Sequence, residues 1–203
     1  LFQSVSLCDK LTLEQRERGF WLNETAGIPA EENIITRADQ LLRREFPNLG
    51  GVAVTLEKNI PTQAGLGGGS SNAAAVLLAL RLFRAPGMPD EMLERMGAKL
   101  GSDVPFFIRG GTRRCTGRGE RPQRLPPLRG GWFVIVKPPE GFATPEMYRR
   151  LDGLPQEPPR PDRMTEALTA GDIRAVAAAL YNSFQRVVPP DSAVWAIRDA
   201  LLT

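Results

Sequence analysis

The feature that most constrains this chain is a glycine-rich segment, residues 65–72, that runs directly into an alanine- and leucine-rich stretch, residues 73–80. Alanine and leucine favour helix, so residues 73–80 predict a largely buried helix whose natural N-cap is Ser70, Ser71 or Asn72. Glycine reaches positive φ angles easily and lets an anion approach the main chain. Because the first turn of a helix also offers free N–H groups and a positive dipole end, the segment predicts a phosphate-binding loop. The alternative is a flexible loop that happens to precede a buried helix.

Two well-known phosphate-binding motifs do not fit this segment. A Walker A loop requires Lys followed by Ser or Thr after its last glycine, but no lysine occurs between Lys58 and Lys99. A dinucleotide-binding fingerprint requires glycine at the sixth position counted from Gly65, where this chain has Ser70. The segment therefore indicates a third kind of nucleotide-binding loop.

Composition excludes several kinds of catalytic site. The 203 residues include no histidine, which rules out a Ser-His-Asp triad and any zinc site with histidine ligands. The two cysteines, Cys8 and Cys115, show no metal-binding spacing. The 26 Lys and Arg against 23 Asp and Glu give a net charge of +3, which is too small to predict nucleic-acid binding. This charge suits an anionic small-molecule substrate, although an ordinary solvated surface explains it equally well. No apolar run approaches the roughly 20 residues needed to span a membrane.

Hydrophobic patterns predict the remaining elements. Strands are expected at residues 1–7, 11–13, 19–22, 51–58 and 132–136, the last of them buried. A helix is expected after Asn33, which stands where an N-cap belongs, and further helices at residues 89–100, 164–170 and 173–180. Residues 121–131 are rich in Pro, Arg and Gly and are the best candidate for a domain boundary.

Residues 60–74 carry a long resemblance to a known family. They read IPTQAGLGGGSSNAA, which resembles the ATP-binding motif of the GHMP kinases. The form GLGGGSSNAA is similar to that of the 4-diphosphocytidyl-2-C-methyl-D-erythritol kinases in particular, whereas homoserine and mevalonate kinases usually carry fewer glycines or a different continuation. The resemblance implies that ATP is bound by Pro61, Thr62, Gln63, Ala64, Gly65, Leu66, Gly67, Gly68, Gly69, Ser70 and Ser71.

Asp103 lies in a second segment, residues 100–107, that resembles the family's Gly-Ala/Ser-Asp-Val-Pro-Phe sequence. The resemblance implies that Asp103 is the catalytic aspartate and contacts the substrate. This role suits phosphoryl transfer, because its loose transition state requires the protein only to position the hydroxyl and accept its proton late. The alternative is that Asp103 merely caps a turn between Ser102 and Pro105.

Three shorter segments agree with the resemblance in order and spacing. Residues 117–120 resemble the family's Gly-x-Gly-Glu turn, residues 136–145 its Pro…Ser/Thr-Thr-Pro segment, and residues 182–184 its Asn-Asp/Ser-Phe. The second of these implies that Thr144 lies near the substrate. Each segment is weak alone, since a Thr-Pro pair more often marks only the start of a helix.

The resemblance also implies parts of the family's site that this chain does not contain. A lysine in a Lys-x-Asn-Leu strand and the contacts to the cytidine base are expected before Leu1, and a Gly-Ser-Gly segment is expected after Thr203. We therefore expect the chain to be truncated at both ends and to have little or no kinase activity alone. The expected location is the bacterial cytoplasm, and the missing start leaves a plastid origin open.

The fold that the resemblance implies is an α+β, two-domain GHMP kinase fold, incomplete here. Residues 1–128 would form the ATP-binding domain, like ribosomal protein S5 domain 2, and residues 129–203 part of a ferredoxin-like domain. The implied reaction is ATP-dependent phosphorylation of the 2-hydroxyl of 4-diphosphocytidyl-2-C-methyl-D-erythritol, in the non-mevalonate (MEP) route to isoprenoid precursors. Mg²⁺ would accompany ATP, with no metal ligand assigned.

The expected partner is this small-molecule substrate, not nucleic acid or a membrane, in a monomer or homodimer. Two alternatives remain open at this stage. One is another GHMP kinase, of the homoserine or mevalonate type. The other is a non-catalytic, nucleotide-binding relative.

Overall fold

A computed structural model of the chain describes residues 1–23, 27–128, 130–155 and 161–202. The chain divides into two compact units. The first consists of Leu1–Thr62 and Leu66–Arg124, and the second of Gln63–Gly65 and Leu125–Thr203. Both helices and strands occur, which confirms the expected α+β class. The expected domain boundary between residues 128 and 129 stays a prediction, and residue 129 lies outside the described residues.

The first unit contains two three-stranded sheets and four helices among its described residues. The strands are β1 (Phe2–Gln3), β2 (Lys10–Arg16), β3 (Phe20–Asn23), β4 (Gly51–Glu57), β5 (Thr112–Thr116) and β6 (Arg121–Arg124). The helices are α1 (Ile34–Glu45), α2 (Gly68–Arg84), α3 (Asp90–Leu100) and α4 (Val104–Arg109). One sheet has the order β2-β4-β3, in which β4 is antiparallel to β2 and parallel to β3. The other has the order β1-β5-β6 and is antiparallel throughout.

The core of the first unit lies between strand β4 and helices α1, α2, α3 and α4. Its fully buried side chains include Ile35, Leu42, Val54, Val76, Leu77, Leu93 and Val104. Each such side chain contributes on the order of 1.5–3 kcal/mol relative to an exposed one. Residues 73–80 of helix α2 are largely buried, as the sequence predicts, and they anchor the helix in the core.

The starts of α1 and α2 are formed in different ways. Asn33 caps α1, as the sequence predicts, with its side chain accepting a 3.0 Å hydrogen bond from the backbone N–H of Ile35. The predicted side-chain cap of α2 is wrong. The helix begins at Gly68, and Gly67 occupies the N-cap position with φ 66°. The physical reason is that only glycine takes this left-handed conformation without strain, so the helix begins earlier than the serines.

Helices α3 and α4 together position the segment that contains Asp103. Gly97 in α3 permits their close approach, because a Cβ there would lie 2.9 Å from both Val104 Cγ1 and Ile108 Cδ1. Helix α3 ends at Leu100 as predicted, and Asp103 follows at the N-cap position of α4.

The second unit contains helices among its described residues. These are α5 (Thr144–Asp152), α6 (Pro161–Ala170), α7 (Ile173–Ala178) and α8 (Ala193–Leu202), with a 3-10 turn at Ser183–Arg186. A small apolar cluster of Ala167, Leu168 and Val176 joins α6 to α7. The two helices predicted at residues 164–170 and 173–180 are confirmed, although the first begins at Pro161 and the second ends at Ala178.

Two strand predictions are wrong in whole or in part. Residues 132–136 form no strand and are exposed, with Trp132 98% exposed. An apolar run becomes a buried strand only when a neighbouring strand pairs with its backbone, and none does so among the described residues. Of residues 1–7, only Phe2–Gln3 forms a strand, because pairing with β5 stops after Ser4 N donates to Gly111 O.

Candidate active site

The start of helix α2 leaves backbone N–H groups available for a ligand. The first backbone hydrogen bond of the helix runs from Ser71 N to Gly67 O and is 2.9 Å long. The N–H groups of Gly68, Gly69 and Ser70 precede that bond and have no carbonyl four residues earlier within the helix. No side chain of the described residues caps this end. Together with the positive end of the helix dipole, these amides form a site suited to phosphate.

The start of α2 lies beside the segment that contains Asp103. The hydroxyl oxygen of Ser70 lies 3.8 Å from the position that a Cβ on Gly101 would take. Gly67 lies against the ring of Phe107. Gly101 and Phe107 flank Asp103 in the sequence, so the first unit brings the glycine-rich turn and this carboxylate into one neighbourhood.

Asp103 occupies the N-cap position of α4, but its side chain makes no capping hydrogen bond. This observation argues against the alternative in which the carboxylate serves only as a cap. Burial raises the pKa of Asp103 above its ordinary value. A half-buried carboxylate with a raised pKa is a stronger proton acceptor than a free one, which is the property required of a general base.

A tight turn after β5 lies against Asp103. The carboxylate of Glu120 accepts a 2.7 Å hydrogen bond from the backbone N–H of Arg118, which closes the turn. A Cβ on Gly119, whose φ is 113°, would lie 3.5 Å from Asp103 Oδ1. The sequence singles out this Gly-x-Gly-Glu turn, and the structure shows that it borders the candidate catalytic carboxylate.

A buried cluster around Asp9 lies at the base of the glycine-rich loop. Asp9 accepts hydrogen bonds from Lys58 Nζ at 2.5 Å and from Asn72 Nδ2 at 2.9 Å, as well as from two backbone N–H groups. Burial alone would raise the pKa of Asp9, but the hydrogen bonds from Lys58, the backbone and Asn72 together lower it. Sequence reasoning missed this cluster, because its members lie up to 63 positions apart and only the fold unites them.

The remaining residues of the expected site belong to the second unit. Thr144 is the first residue of α5 and is exposed. Gln63, Ala64 and Gly65 also belong to this unit, where Gln63 Oε1 lies 3.4 Å from the position of a Cβ on Gly141. All other residues expected to bind ATP lie in the first unit with Asp103.

The described residues offer no preformed metal centre. They contain no group of three or more His, Cys, Asp or Glu side chains that could hold a metal ion. This arrangement is compatible with Mg²⁺, which commonly binds through substrate phosphates, waters and only one or two carboxylates. Among the described helices, none is both long and apolar enough to cross a membrane.

Residues 33–111 match the family described as the GHMP kinases N terminal domain. Two curated relatives, from Heliobacterium modesticaldum and Moorella thermoacetica, are each named 4-diphosphocytidyl-2-C-methyl-D-erythritol kinase. Each is 41% identical to this chain over an alignment that covers 92% of this chain. The alignments cover 66% of the first relative and 67% of the second. A crystal structure of 4-(cytidine 5'-diphospho)-2C-methyl-D-erythritol kinase matches with a TM-score of 0.66 and 34% identity, over 89% of this chain and 63% of that one.

The chain therefore spans about two thirds of the length of the curated relatives that it matches. The family model covers both the glycine-rich turn and Asp103, and the identity to the relatives extends across nearly the whole chain. The solved structure has the same fold over most of this chain, which agrees with the expected GHMP kinase fold. From its sequence and its fold, this chain belongs to the 4-diphosphocytidyl-2-C-methyl-D-erythritol kinases, a family of GHMP kinases.

Proposed function

We propose that this chain supplies the ATP-binding loop and the catalytic carboxylate of an enzyme that phosphorylates the 2-hydroxyl of 4-diphosphocytidyl-2-C-methyl-D-erythritol. This reaction belongs to the non-mevalonate route to isoprenoid precursors. The names of the curated relatives support the choice of substrate. The observation that carries the proposal is the proximity, within one unit, of the glycine-rich start of α2 and the segment around Asp103. Phosphoryl transfer requires both an anion site and a group that orients the attacking hydroxyl.

Residues 61–71 are the proposed ATP-binding loop, and their main chain is proposed to do most of the binding. The N–H groups of Gly68, Gly69 and Ser70 would donate hydrogen bonds to the β- and γ-phosphates. Bonds of this kind to a charged oxygen are about twice as strong as bonds between neutral groups. The hydroxyl of Ser71 donates to Gly68 O at 2.8 Å, which stiffens the first turn that presents these groups.

Asp103 is proposed as the general base and as a contact to the substrate. The oxygen of the substrate hydroxyl forms a bond to the γ-phosphorus as the bond from that phosphorus to the bridging oxygen of ATP breaks. ADP leaves with the electrons of the broken bond, and the hydroxyl proton passes to Asp103. The raised pKa of Asp103 favours this last transfer.

Mg²⁺ is proposed to accompany ATP and to neutralise charge on its phosphates when bound. Since the described residues provide no three-carboxylate cluster, phosphate oxygens and waters would supply most of its ligands. Thr144 is proposed to donate a hydrogen bond to the alcohol substrate. Support for this comes from the Thr-Pro segment in the sequence and from the exposure of Thr144 at the start of α5.

The two alternatives are weakened in different ways. A non-catalytic relative would have no use for a half-buried carboxylate, which is unfavourable when it has no capping role. A GHMP kinase for another alcohol is weakened by the names of the curated relatives. We further propose a small-molecule partner only, a monomer or homodimer, and a cytoplasmic location, for which the support is the bacterial source of the relatives.

The experiment that tests the proposed function is a substrate panel with the complete protein. ATP, Mg²⁺ and one of three alcohols are supplied: 4-diphosphocytidyl-2-C-methyl-D-erythritol, homoserine or mevalonate. Release of ADP and the appearance of a new phosphate monoester by ³¹P NMR are measured. We expect turnover with the first alcohol only. Comparable turnover of homoserine or mevalonate, or of none of the three, would contradict the proposal.

A further inference from the structure

The carboxylate of Asp9 is buried and fully engaged. Its side chain is only 1% exposed. Oδ1 accepts hydrogen bonds of 2.7 Å from the backbone N–H groups of both Asn59 and Ile60. Oδ2 accepts from Lys58 Nζ at 2.5 Å and from Asn72 Nδ2 at 2.9 Å. Four donors therefore converge on one side chain.

These donors lie on either side of residues 61–67, the loop that leads into helix α2. Lys58, Asn59 and Ile60 lead directly into residues 61–67, and Asn72 lies in the first turns of α2, directly after that loop. Asp9 itself comes from a distant part of the chain, just before β2. The carboxylate thus links residues 58–60, which precede the loop, to helix α2, which follows it.

Lys58 also contacts the first residue of helix α2. Its ammonium also donates to Ile60 O at 2.7 Å. It lies 2.9 Å from the position that a Cβ on Gly68 would take, so the lysine packs against the first residue of α2. Asp9 pairs with this ammonium, so loss of the carboxylate would leave a partly buried cation beside the helix start without its ion-pair partner.

Fixing both ends of a loop reduces the conformations that it can adopt before a ligand binds. Amides that are already aimed at an anion bind it more tightly, because less ordering is needed on binding. A buried carboxylate is costly unless it is paired, and here all four of its partners belong to the ends of one loop. The arrangement is suited to holding the loop in shape.

We propose that Asp9 is a positioning residue for the nucleotide. Its hydrogen bonds to the residues on either side of residues 61–67 hold this loop in the conformation that binds ATP. This inference rests on the proposed ATP site but not on the identity of the alcohol. It concerns binding of the nucleotide through the loop, and no contact between Asp9 and a substrate is involved.

The test is Asp9→Asn in the complete protein. Asn can still accept from the N–H groups of Asn59 and Ile60, but its NH₂ group would face two donors, Lys58 and Asn72. We expect the Kd for ATP, measured by isothermal titration calorimetry, and the KM for ATP each to rise about tenfold or more. The KM for the alcohol is expected to stay within about twofold. A general loss of folded protein would instead lower the apparent kcat and leave both KM values unchanged.

The matched control is Asp39→Asn. Asp39 is a second buried carboxylate of the same unit, with a side chain 2% exposed, and it is paired with Arg43 on α1 at 2.6 Å. Its replacement is expected to leave the Kd for ATP unchanged. Equal losses of ATP binding in Asp9→Asn and Asp39→Asn would overturn the proposal.

A reciprocal variant tests the geometry of the link. In Asp9→Asn with Asn72→Asp, the amide of residue 9 again faces an acceptor, so we expect at least part of the lost ATP affinity to return. Asn72→Ala removes one link and leaves the buried carboxylate in place, and it serves if Asp9→Asn does not fold. We expect it to weaken ATP binding about three- to tenfold.

The outcomes separate this inference from the proposed function. Wild-type protein that binds ATP but phosphorylates none of the three alcohols would refute the proposed reaction, and the Kd comparison would still decide the role of Asp9. An unchanged Kd for ATP in Asp9→Asn, or in Asn72→Ala, would overturn the inference alone. Absence of ATP binding by the wild-type protein would overturn both.

Discussion

A Cβ atom on Gly67 would lie 2.7 Å from Cε2 of Phe107, closer than a Cβ contact can be. Phe107 belongs to α4, and its ring makes an edge-on contact with Phe106 at a centroid distance of 4.9 Å. The N-cap of α2 and the helix that follows Asp103 are therefore packed together through a glycine and an aromatic ring. This contact couples the shape of the proposed ATP loop to the position of the proposed general base.

Gly67→Ala is expected to damage both folding and ATP binding. The positive φ of 66° would be strained in alanine, and the added methyl group would collide with Phe107. The free energy of unfolding should fall by about 2–5 kcal/mol, which is the sum of the backbone strain and the overpacking. Urea titration and calorimetry with ATP measure the two effects.

Gly65→Ala is the matched control for that prediction. Gly65 has a similar φ of 70°, but no atom of the described residues lies within 4 Å of the position of its Cβ. We expect a smaller loss of about 1–2 kcal/mol from backbone strain alone. If the two variants lose the same stability, the contact with Phe107 has no energetic importance.

The parts of this fold that the sequence predicts are those that local chemistry decides. Asn33 caps α1 because a short polar side chain can reach the N–H group two residues on. The glycine-rich start of α2 is recognisable for the same reason, since its glycines and the following helix are contiguous. Helix α2 begins earlier than the sequence predicts, because a left-handed glycine, Gly67, and not a polar side chain, occupies its N-cap position.

The parts that the sequence does not predict depend on contacts between distant residues. Asp9 meets Lys58 because β2 pairs with β4, and it meets Asn72 because helix α2 packs against β2. Nothing near these residues in the sequence indicates either contact. Residues 132–136 have the composition of a buried strand but lack a paired neighbour among the described residues. An apolar composition indicates that a segment can be buried as a strand, but burial also requires a neighbouring strand that pairs with it.

Asp103→Asn is expected to remove most turnover and to leave ATP binding nearly intact. Loss of a general base lowers kcat by roughly 10²–10⁴-fold, and the backbone amides of α2 that are proposed to bind phosphate are unaffected. Coupled ADP release measures kcat, and calorimetry measures the Kd for ATP. Asp90→Asn is a suitable control, because Asp90 is a partly exposed partner of Arg81 and Arg109 in the same unit. Undiminished kcat in Asp103→Asn would remove Asp103 from the mechanism.

The same variant is expected to be more stable than the wild type at neutral pH. The pKa of Asp103 is raised by burial, so the folded protein binds this proton more tightly than the unfolded one. Stability therefore falls as the pH rises from the ordinary value of 3.8 through the raised value, and asparagine lacks this effect. We expect a higher midpoint of thermal unfolding at pH 7 and a difference that shrinks as the pH approaches 3.8. A difference independent of pH would assign the gain to something other than ionisation.

Gly119→Ala tests whether the Gly-x-Gly-Glu turn positions Asp103. The new methyl group would lie 3.5 Å from Asp103 Oδ1, in ordinary contact, but the φ of 113° is not accessible to alanine without strain. The turn must therefore shift, and we expect kcat to fall about tenfold or more while the Kd for ATP stays within about twofold. Gly111→Ala is the control, because Gly111 also has a positive φ, 78°, with no described atom within 4 Å of its Cβ position. If Gly111→Ala lowers kcat as much as Gly119→Ala, strain in the β5–β6 sheet explains the loss and the turn has no specific role beside the carboxylate.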